Sequence, residues 1–205
     1  MALKKNTVIN SQTDSSSRHY ETMKRILDIC LSVCLLFCFF PIIVGVVIAI
    51  RLDSKGPAFF KQIRIGRYGI PFQVYKFRTM TVDSPTFGLK PTSFQDERMT
   101  RLGKFLRVTS LDELPQLLNV MKGEMSLVGP RPEQPFLVEK YELWQKERLN
   151  VLPGLTGWWQ VNGRKQPMHG YVDEDIFYIR NRSLWFDMKL LLRTVRAVLS
   201  KDGAI

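Results

Sequence analysis

Apolar and polar positions divide the chain into three stretches. Residues 1–22 are polar, with the Ser-rich run NSQTDSSSR and no period, which predicts a flexible tail. From Ile29 to Ile50 the run ICLSVCLLFCFFPIIVGVVIAI carries no charge. At about 1.5 Å per residue it is long enough to match the roughly 30 Å hydrocarbon core of a bilayer. Residues 23–50 are therefore read as a membrane segment, and 51–205 as the domain that it anchors. A secretory signal is not expected, because the run is too long for an h-region and no A-x-A-like site follows it.

Pro41 lies just past the middle of the run, where it removes one helical hydrogen bond and disfavours helix at Phe40. Basic residues flank both ends: Arg18, Lys24 and Arg25 before, Arg51, Lys55, Lys61, Arg64 and Arg67 after. The positive-inside rule draws both flanks to the cytoplasmic side. A helix that enters, breaks at Pro41 and returns to the same face satisfies both, whereas a kinked spanning helix satisfies one. Asp28 follows Lys24 by four residues and Arg25 by three, a helical spacing that predicts pairing with both at the interface. Arg25, Asp28 and Pro41 are thus the expected anchor residues. Cys30, Cys34 and Cys38 form one helical stripe of small apolar packing groups.

Beyond the anchor, PAFFKQIRIG and IPFQVYKFRTM surround the turn signal GRYG and predict a β-hairpin. It carries Lys61, Arg64, Lys76 and Arg78. Helices are predicted at about 97–106, 112–121, 133–149, 171–181 and 184–200. The last mixes large apolar residues with Lys189, Arg193 and Arg196, a composition suited to an anionic membrane surface or to packing on its own domain. The fold class is mainly α with a small β-hairpin element. It is anchored by a Pro-broken re-entrant helix and carries interfacial amphipathic helices.

The formal net charge of +11 points to an anionic partner: nucleic acid, anionic membrane lipid or a phosphorylated small molecule. The three cysteines all fall inside the apolar run, which excludes a disulfide-stapled domain and a zinc finger. No P-loop motif is present. Aromatic residues are not interleaved with basic ones as on a strand platform for nucleic acid, and such a partner leaves the anchor unexplained, so no nucleic acid is expected.

Candidate chemistry concentrates in SLDELPQLLNVMKGEMSLVGPRP, residues 110–132. Ser110 and Glu113 match a capping box, and acids suit the first turn of a helix. Pro115 conflicts with Ser110 as N-cap and fits Asp112 better. Either way Asp112 and Glu113 sit at the positive end of a helix, between Arg107 and Arg131. An ionised carboxylate among guanidinium groups suits attack on a phosphoryl centre or ligation of Mg²⁺, for which Asp112 is the expected ligand. In PGLTGWWQVNGR, residues 153–164, glycines permit tight turns, and Trp158, Trp159 and Arg164 offer stacking or ion pairing. His19 and His169 lack partners for a metal site or a triad.

KRILD, the Pro-broken run, YKFRTM, the 110–132 block and PGLTGWWQVNGR occur in this order, and with them the chain resembles the bacterial sugar transferases. These are monotopic polyprenyl-phosphate phosphoglycosyl transferases, and the resemblance runs from residue 24 to the C-terminus. It implies a re-entrant helix, a UDP-sugar donor, Mg²⁺ and undecaprenyl phosphate as acceptor. Asp112 takes the nucleophile's position, forming a phosphosugar-aspartyl enzyme and expelling UMP, and Glu113 takes the partner position. Lys76, Arg107 and Arg131 match substrate-binding positions. The implied location is the bacterial inner (cytoplasmic) membrane, with the catalytic domain on the cytoplasmic face. Phe40 stands where this family usually has Ser, and Trp159 where it has a small residue. Apolar surface near the anchor suggests a homodimer. The alternative function is a non-catalytic membrane adaptor with a basic lipid-binding face, which leaves the LDE, GPRP and VNGR blocks unexplained.

Overall fold

A computed structural model describes residues 11–85, 87, 95–162 and 172–200. The expected turn residues Gly163 and Arg164, His169 and most of the loop around 86–94 lie outside them. The apolar run is part of α1 (Ser11–Asp53), a helix of 43 residues that begins inside the stretch expected as a tail. Pro41 lies within it, and helical backbone continues on both sides. The outward face of α1 carries Phe37, Phe40, Ile48 and Leu52, all strongly exposed. Cys30, Cys34 and Cys38 are exposed on this helix as well.

The hairpin forms as expected. β1 (Phe59–Ile65) pairs antiparallel with β2 (Pro71–Phe77), in register from Phe59↔Phe77 to Ile65↔Pro71. A 3₁₀ turn, Arg67–Gly69, joins them, with Tyr68 and Gly69 at positive φ. α2 (Arg101–Val108) is capped by Thr100, whose hydroxyl accepts the Gly103 amide at 2.9 Å. A 3₁₀ segment, Leu111–Gln116, leads into α3 (Leu117–Lys122), so the helix predicted at 112–121 is tightened in its first half.

β3 (Ser126–Val128) and β4 (Gly154–Thr156) form a short parallel pair, Ser126↔Gly154 and Val128↔Thr156. A Cβ on Gly154 would stand 2.1 Å from the Gly129 amide nitrogen, so the two backbones approach only because both residues are glycine. The helix predicted at 133–149 is corrected. Only α4 (Pro135–Val138) is α-helical, and Gln145–Asn150 is a 3₁₀ turn. Tyr141 and Arg148 are buried there, and their inward contacts override a continuous helical period. Among the described residues α5 (Trp158–Asn162), α6 (Val172–Asn181) and α7 (Leu184–Ser200) follow, the last two as predicted.

Among the described residues two apolar clusters make the core. The first gathers Val74, Leu117, Val120, Met125, Leu127, Val128, Tyr178 and Leu190, with Leu31, Leu35 and Leu36 of α1 packed on it. The second gathers Val46, Ile50, Ala58, Phe77 and Leu106, with Ile43 and Val47 beside it. Leu114 touches both. Segments of α1 on either side of Pro41 therefore pack on the same body.

The anchor's polar contacts differ from expectation. Asp28 does not pair with Lys24 or Arg25; its Oδ1 accepts the Leu127 amide at 3.0 Å. Lys24 Nζ instead bridges Asp187 of α7 at 2.6 Å, and Arg25 donates to the carbonyls of Val120 and Met121 at the end of α3. The helix surface at these positions is covered by α3, β3 and α7, so each polar group finds a tertiary partner rather than its helical neighbour. At the other end, Arg78 donates to the carbonyls of Ser54 and Lys55 at 2.7 Å each, fixing the chain where it leaves α1.

Candidate active site

The 3₁₀ segment Leu111–Gln116 sets the geometry. Its period of three residues eclipses side chains at i and i+3. Leu111, Leu114 and Leu117 follow that period into the core, which leaves Asp112 and Glu113 on other faces. Ser110, just before, has φ 55°, a left-handed conformation, and its side chain caps nothing. The capping box expected of Ser110 and Glu113 is thus absent, because Glu113 turns away to two cations.

Lys76 of β2 and Arg131 each place a nitrogen 2.6 Å from Glu113 Oε1. Burial alone raises the Glu113 carboxyl, but the charges and hydrogen bonds of Arg131 and Lys76 outweigh it and hold the group well below the ordinary range. Asp112 behaves differently. Its side chain is buried, 8% exposed, and makes no hydrogen bond or ion pair among the described residues. Burial pushes its carboxyl up from 3.8 to about 6 against the pull of Lys76, and the neighbouring Glu113 charge adds to the rise. Two adjacent carboxylates are therefore in opposite states: one saturated and firmly ionised, the other uncommitted and desolvated.

Each cation has a structural reason for its place. Lys76 lies on β2, and the Asn119 side chain fixes that strand by accepting the Tyr75 amide at 3.1 Å and donating to the Gln73 carbonyl at 2.6 Å. Arg131 sits in Gly129–Pro132, whose Pro130 carbonyl accepts the Gly154 amide at 2.8 Å. Arg107, on the last turn of α2, donates from Nε to Thr79 Oγ1 at 3.1 Å instead of bonding either carboxylate. A Cβ on Gly103 would meet the Thr79 carbonyl oxygen at 2.0 Å, so α2 rides directly on the end of the hairpin.

Sequence reasoning singled out Lys76, Arg107, Asp112, Glu113 and Arg131. The structure joins Lys76, Glu113 and Arg131 by direct bonds and leaves Asp112 and Arg107 within their electrostatic reach. It adds Arg64 of β1, which the sequence marked only as a basic position on the hairpin. Arg64 donates to the Pro132 carbonyl at 3.2 Å, and burial together with the Arg131 charge lowers it to about 10. The alternation of β1 alone gave no sign that this residue faces the 130–132 turn. Trp159 is buried and fills the interior, while Trp158 packs against Phe177 and Phe186.

Such an arrangement suits chemistry on a phosphate. Four cations offer donors for a multiply charged anion, and the free carboxylate can attack or ligate. Among the described residues no group of three His, Cys, Asp or Glu side chains could hold a metal by itself. A hard cation held by one carboxylate plus substrate phosphate oxygens remains compatible with Asp112, whereas the Glu113 carboxylate is already occupied.

Comparison with known proteins agrees with this chemistry. The family model described as bacterial sugar transferase matches residues 19–201. An uncharacterized sugar transferase of Bacillus subtilis is 43% identical over 183 residues, covering 88% of this chain and 89% of that one. The UDP-glucose:undecaprenyl-phosphate glucose-1-phosphate transferase of Caulobacter vibrioides is 42% identical over 190 residues, 88% of this chain and 71% of that one. The UDP-N-acetylgalactosamine-undecaprenyl-phosphate N-acetylgalactosaminephosphotransferase of Aeromonas hydrophila is 38% identical over 198 residues, 90% of this chain but 45% of its own length. With the family's pattern spanning the anchor, the paired carboxylates and the C-terminal helices, this chain belongs to the bacterial sugar transferases.

Proposed function

We propose that the protein is a phosphoglycosyl transferase that moves a sugar-1-phosphate from a UDP-sugar to undecaprenyl phosphate. The observation that carries this reading is the asymmetry of the two carboxylates. Glu113 is locked between Lys76 and Arg131, while Asp112 is buried, unbonded and surrounded by positive charge. In the first step an Asp112 oxygen attacks the sugar-linked phosphorus. The bond from that phosphorus to the bridging oxygen breaks, and UMP leaves with the electron pair. In the second step an oxygen of the acceptor phosphate attacks the same phosphorus, the bond to Asp112 breaks, and the carboxylate is restored. Polyprenyl-diphospho-sugar is released.

Lys76, Arg64, Arg107 and Arg131 bind and orient the phosphates. Glu113 holds Lys76 and Arg131 in place and keeps their charges facing the diphosphate. Asp112 would hold Mg²⁺, which would supply neutralisation of the diphosphate charge. With a carboxyl near 6, Asp112 is about nine-tenths ionised at neutral pH and is freed from water before it reacts.

The reading places catalysis at the cytoplasmic face of the bacterial inner membrane, with α1 entering and leaving by one side. The packing of α1 supports this. Asp28 and Ile50 lie about 33 Å apart along a straight helix, yet both contact the same body. A helix crossing the bilayer would carry its two ends to opposite faces. The exposed stripe Trp185, Leu192, Val195 and Leu199 of α7 gives a further apolar face to set against lipid.

The test is UMP release from a panel of UDP-sugars by detergent-solubilised protein with Mg²⁺ and undecaprenyl phosphate, with Asp112→Asn alongside. Release with one sugar that is lost in the variant supports the reading. Equal release by the variant removes Asp112 as nucleophile, and indifference of the protein to every donor returns the adaptor.

A further inference from the structure

A buried ion pair lies outside the cluster already described. Arg148, in the 3₁₀ turn Gln145–Asn150, places Nη2 2.6 Å from Asp175 Oδ2 of α6, and the two side chains are 2% and 3% exposed. The same guanidinium donates from Nη2 to the backbone carbonyl of Arg131 at 2.8 Å and from Nη1 to the Tyr141 hydroxyl. We infer that Arg148 and Asp175 are positioning residues that set the direction of the Arg131 side chain, resting on the reading of Arg131 as a phosphate-binding group.

The local backbone explains why such a device is needed. Arg131 stands between Pro130 and Pro132, neither of which has an N–H to anchor the turn. Its three carbonyls carry the anchoring instead. Pro130 accepts from the Gly154 amide, Arg131 from Arg148, and Pro132 from Arg64. The Arg131 guanidinium then reaches Glu113 Oε1 at 2.6 Å. Two of those three anchors belong to the site or to the β3–β4 pair. The middle one comes from Arg148, which Asp175 holds in turn. Desolvating two opposite charges brings little net stability over apolar residues of similar volume, so specificity of geometry is the better reason for this pair.

The same logic supplies the test. Replacing both partners, Arg148→Met with Asp175→Leu, leaves no buried charge unpaired, so the chain should still fold, with a melting temperature lowered only by the loss of the hydrogen bonds to the Arg131 carbonyl and the Tyr141 hydroxyl. Full-length protein in detergent is then assayed for UMP release and for KM of the UDP-sugar. A KM raised about tenfold or more is expected, because Arg131 is no longer directed at the phosphates. In an Arg131→Lys background the same double replacement should add little, whereas a merely structural effect would multiply in both backgrounds. A parent-like KM in the folded double variant overturns the inference, as does full multiplicativity.

Two controls separate the possible failures. If the parent protein itself releases no UMP, the functional reading fails. The pair is then judged by denaturation alone, where the cost of Glu113→Gln should shrink once Arg148 and Asp175 are replaced. An unchanged cost overturns the inference independently of activity. If the double variant does not fold, Arg148→Lys keeps the charge on Asp175 but loses the second donor. It should also raise KM, and a parent-like KM there counts equally against the inference.

Discussion

Asp112→Asn and Glu113→Gln remove one negative charge each from neighbouring positions, and their effects on stability should have opposite signs. The Asp112 carboxyl rises from 3.8 to about 6 on folding. Its charge is therefore a burden on the folded state, absent below the unfolded value and complete above the folded one. The difference of about two pH units corresponds to ~3 kcal/mol at neutral pH. Asp112→Asn should abolish turnover and raise stability by up to that amount, or roughly 6–12 °C in melting temperature for a domain of this size. Glu113→Gln strands two cations that now sit 2.6 Å from a carboxylate oxygen. Breaking such a pair costs about 3–5 kcal/mol. Thermal melts of parent and variants from pH 4 to pH 8 provide the assay. For Asp112→Asn the advantage should be small at pH 4, grow between pH 4 and 6, and then level. A gap independent of pH, or a less stable Asn variant at pH 7, would refute the burial argument.

Other consequences are open to equally direct checks. The acid limb of kcat/KM should fall near pH 6, about tenfold per unit below it, as Asp112 takes up a proton; activity undiminished at pH 5 would contradict this. Gly154→Ala should destabilise by ~1–3 kcal/mol in chemical denaturation and lower activity, because its Cβ would collide with Gly129 and displace the 130–132 turn. Single cysteines at Thr22 and Lys55, in a background with Cys30, Cys34 and Cys38 replaced by Ala, should both react with an impermeant thiol reagent only after the inner face is opened. Labelling of one of them from outside intact cells would make α1 a spanning helix.

Much of this architecture could be read from the sequence, where one period dominated. The alternation in residues 57–80 and the amphipathic 184–200 stretch matched β1, β2 and α7 nearly residue for residue. The parallel β3–β4 pair was hidden because three-residue strands have no period and their contact rests on Gly129 and Gly154, which present backbone to backbone. The 133–149 stretch misled because Tyr141 and Arg148 point inward for polar reasons while its apolar spacing resembles a helix.

At the site, residue identities were legible and their division of labour was not. Adjacent acids look alike in a sequence. Only the threefold period of Leu111, Leu114 and Leu117, together with Ser110 in a left-handed conformation, turns one toward Lys76 and Arg131 and leaves the other free. Pairing of Asp28 with Lys24 and Arg25 was the natural reading of an isolated helix. It fails because α3, β3 and α7 cover that surface and supply other partners.

The claim most exposed to direct test is the covalent step at Asp112. Protein incubated with the UDP-sugar that supports UMP release, without acceptor, can be examined by intact-mass and peptide mass spectrometry. The account predicts a sugar-phosphate adduct on the peptide carrying Asp112, discharged on adding undecaprenyl phosphate and absent in Asp112→Asn. Turnover with no adduct on that peptide, or an equal adduct in the Asn variant, would contradict it.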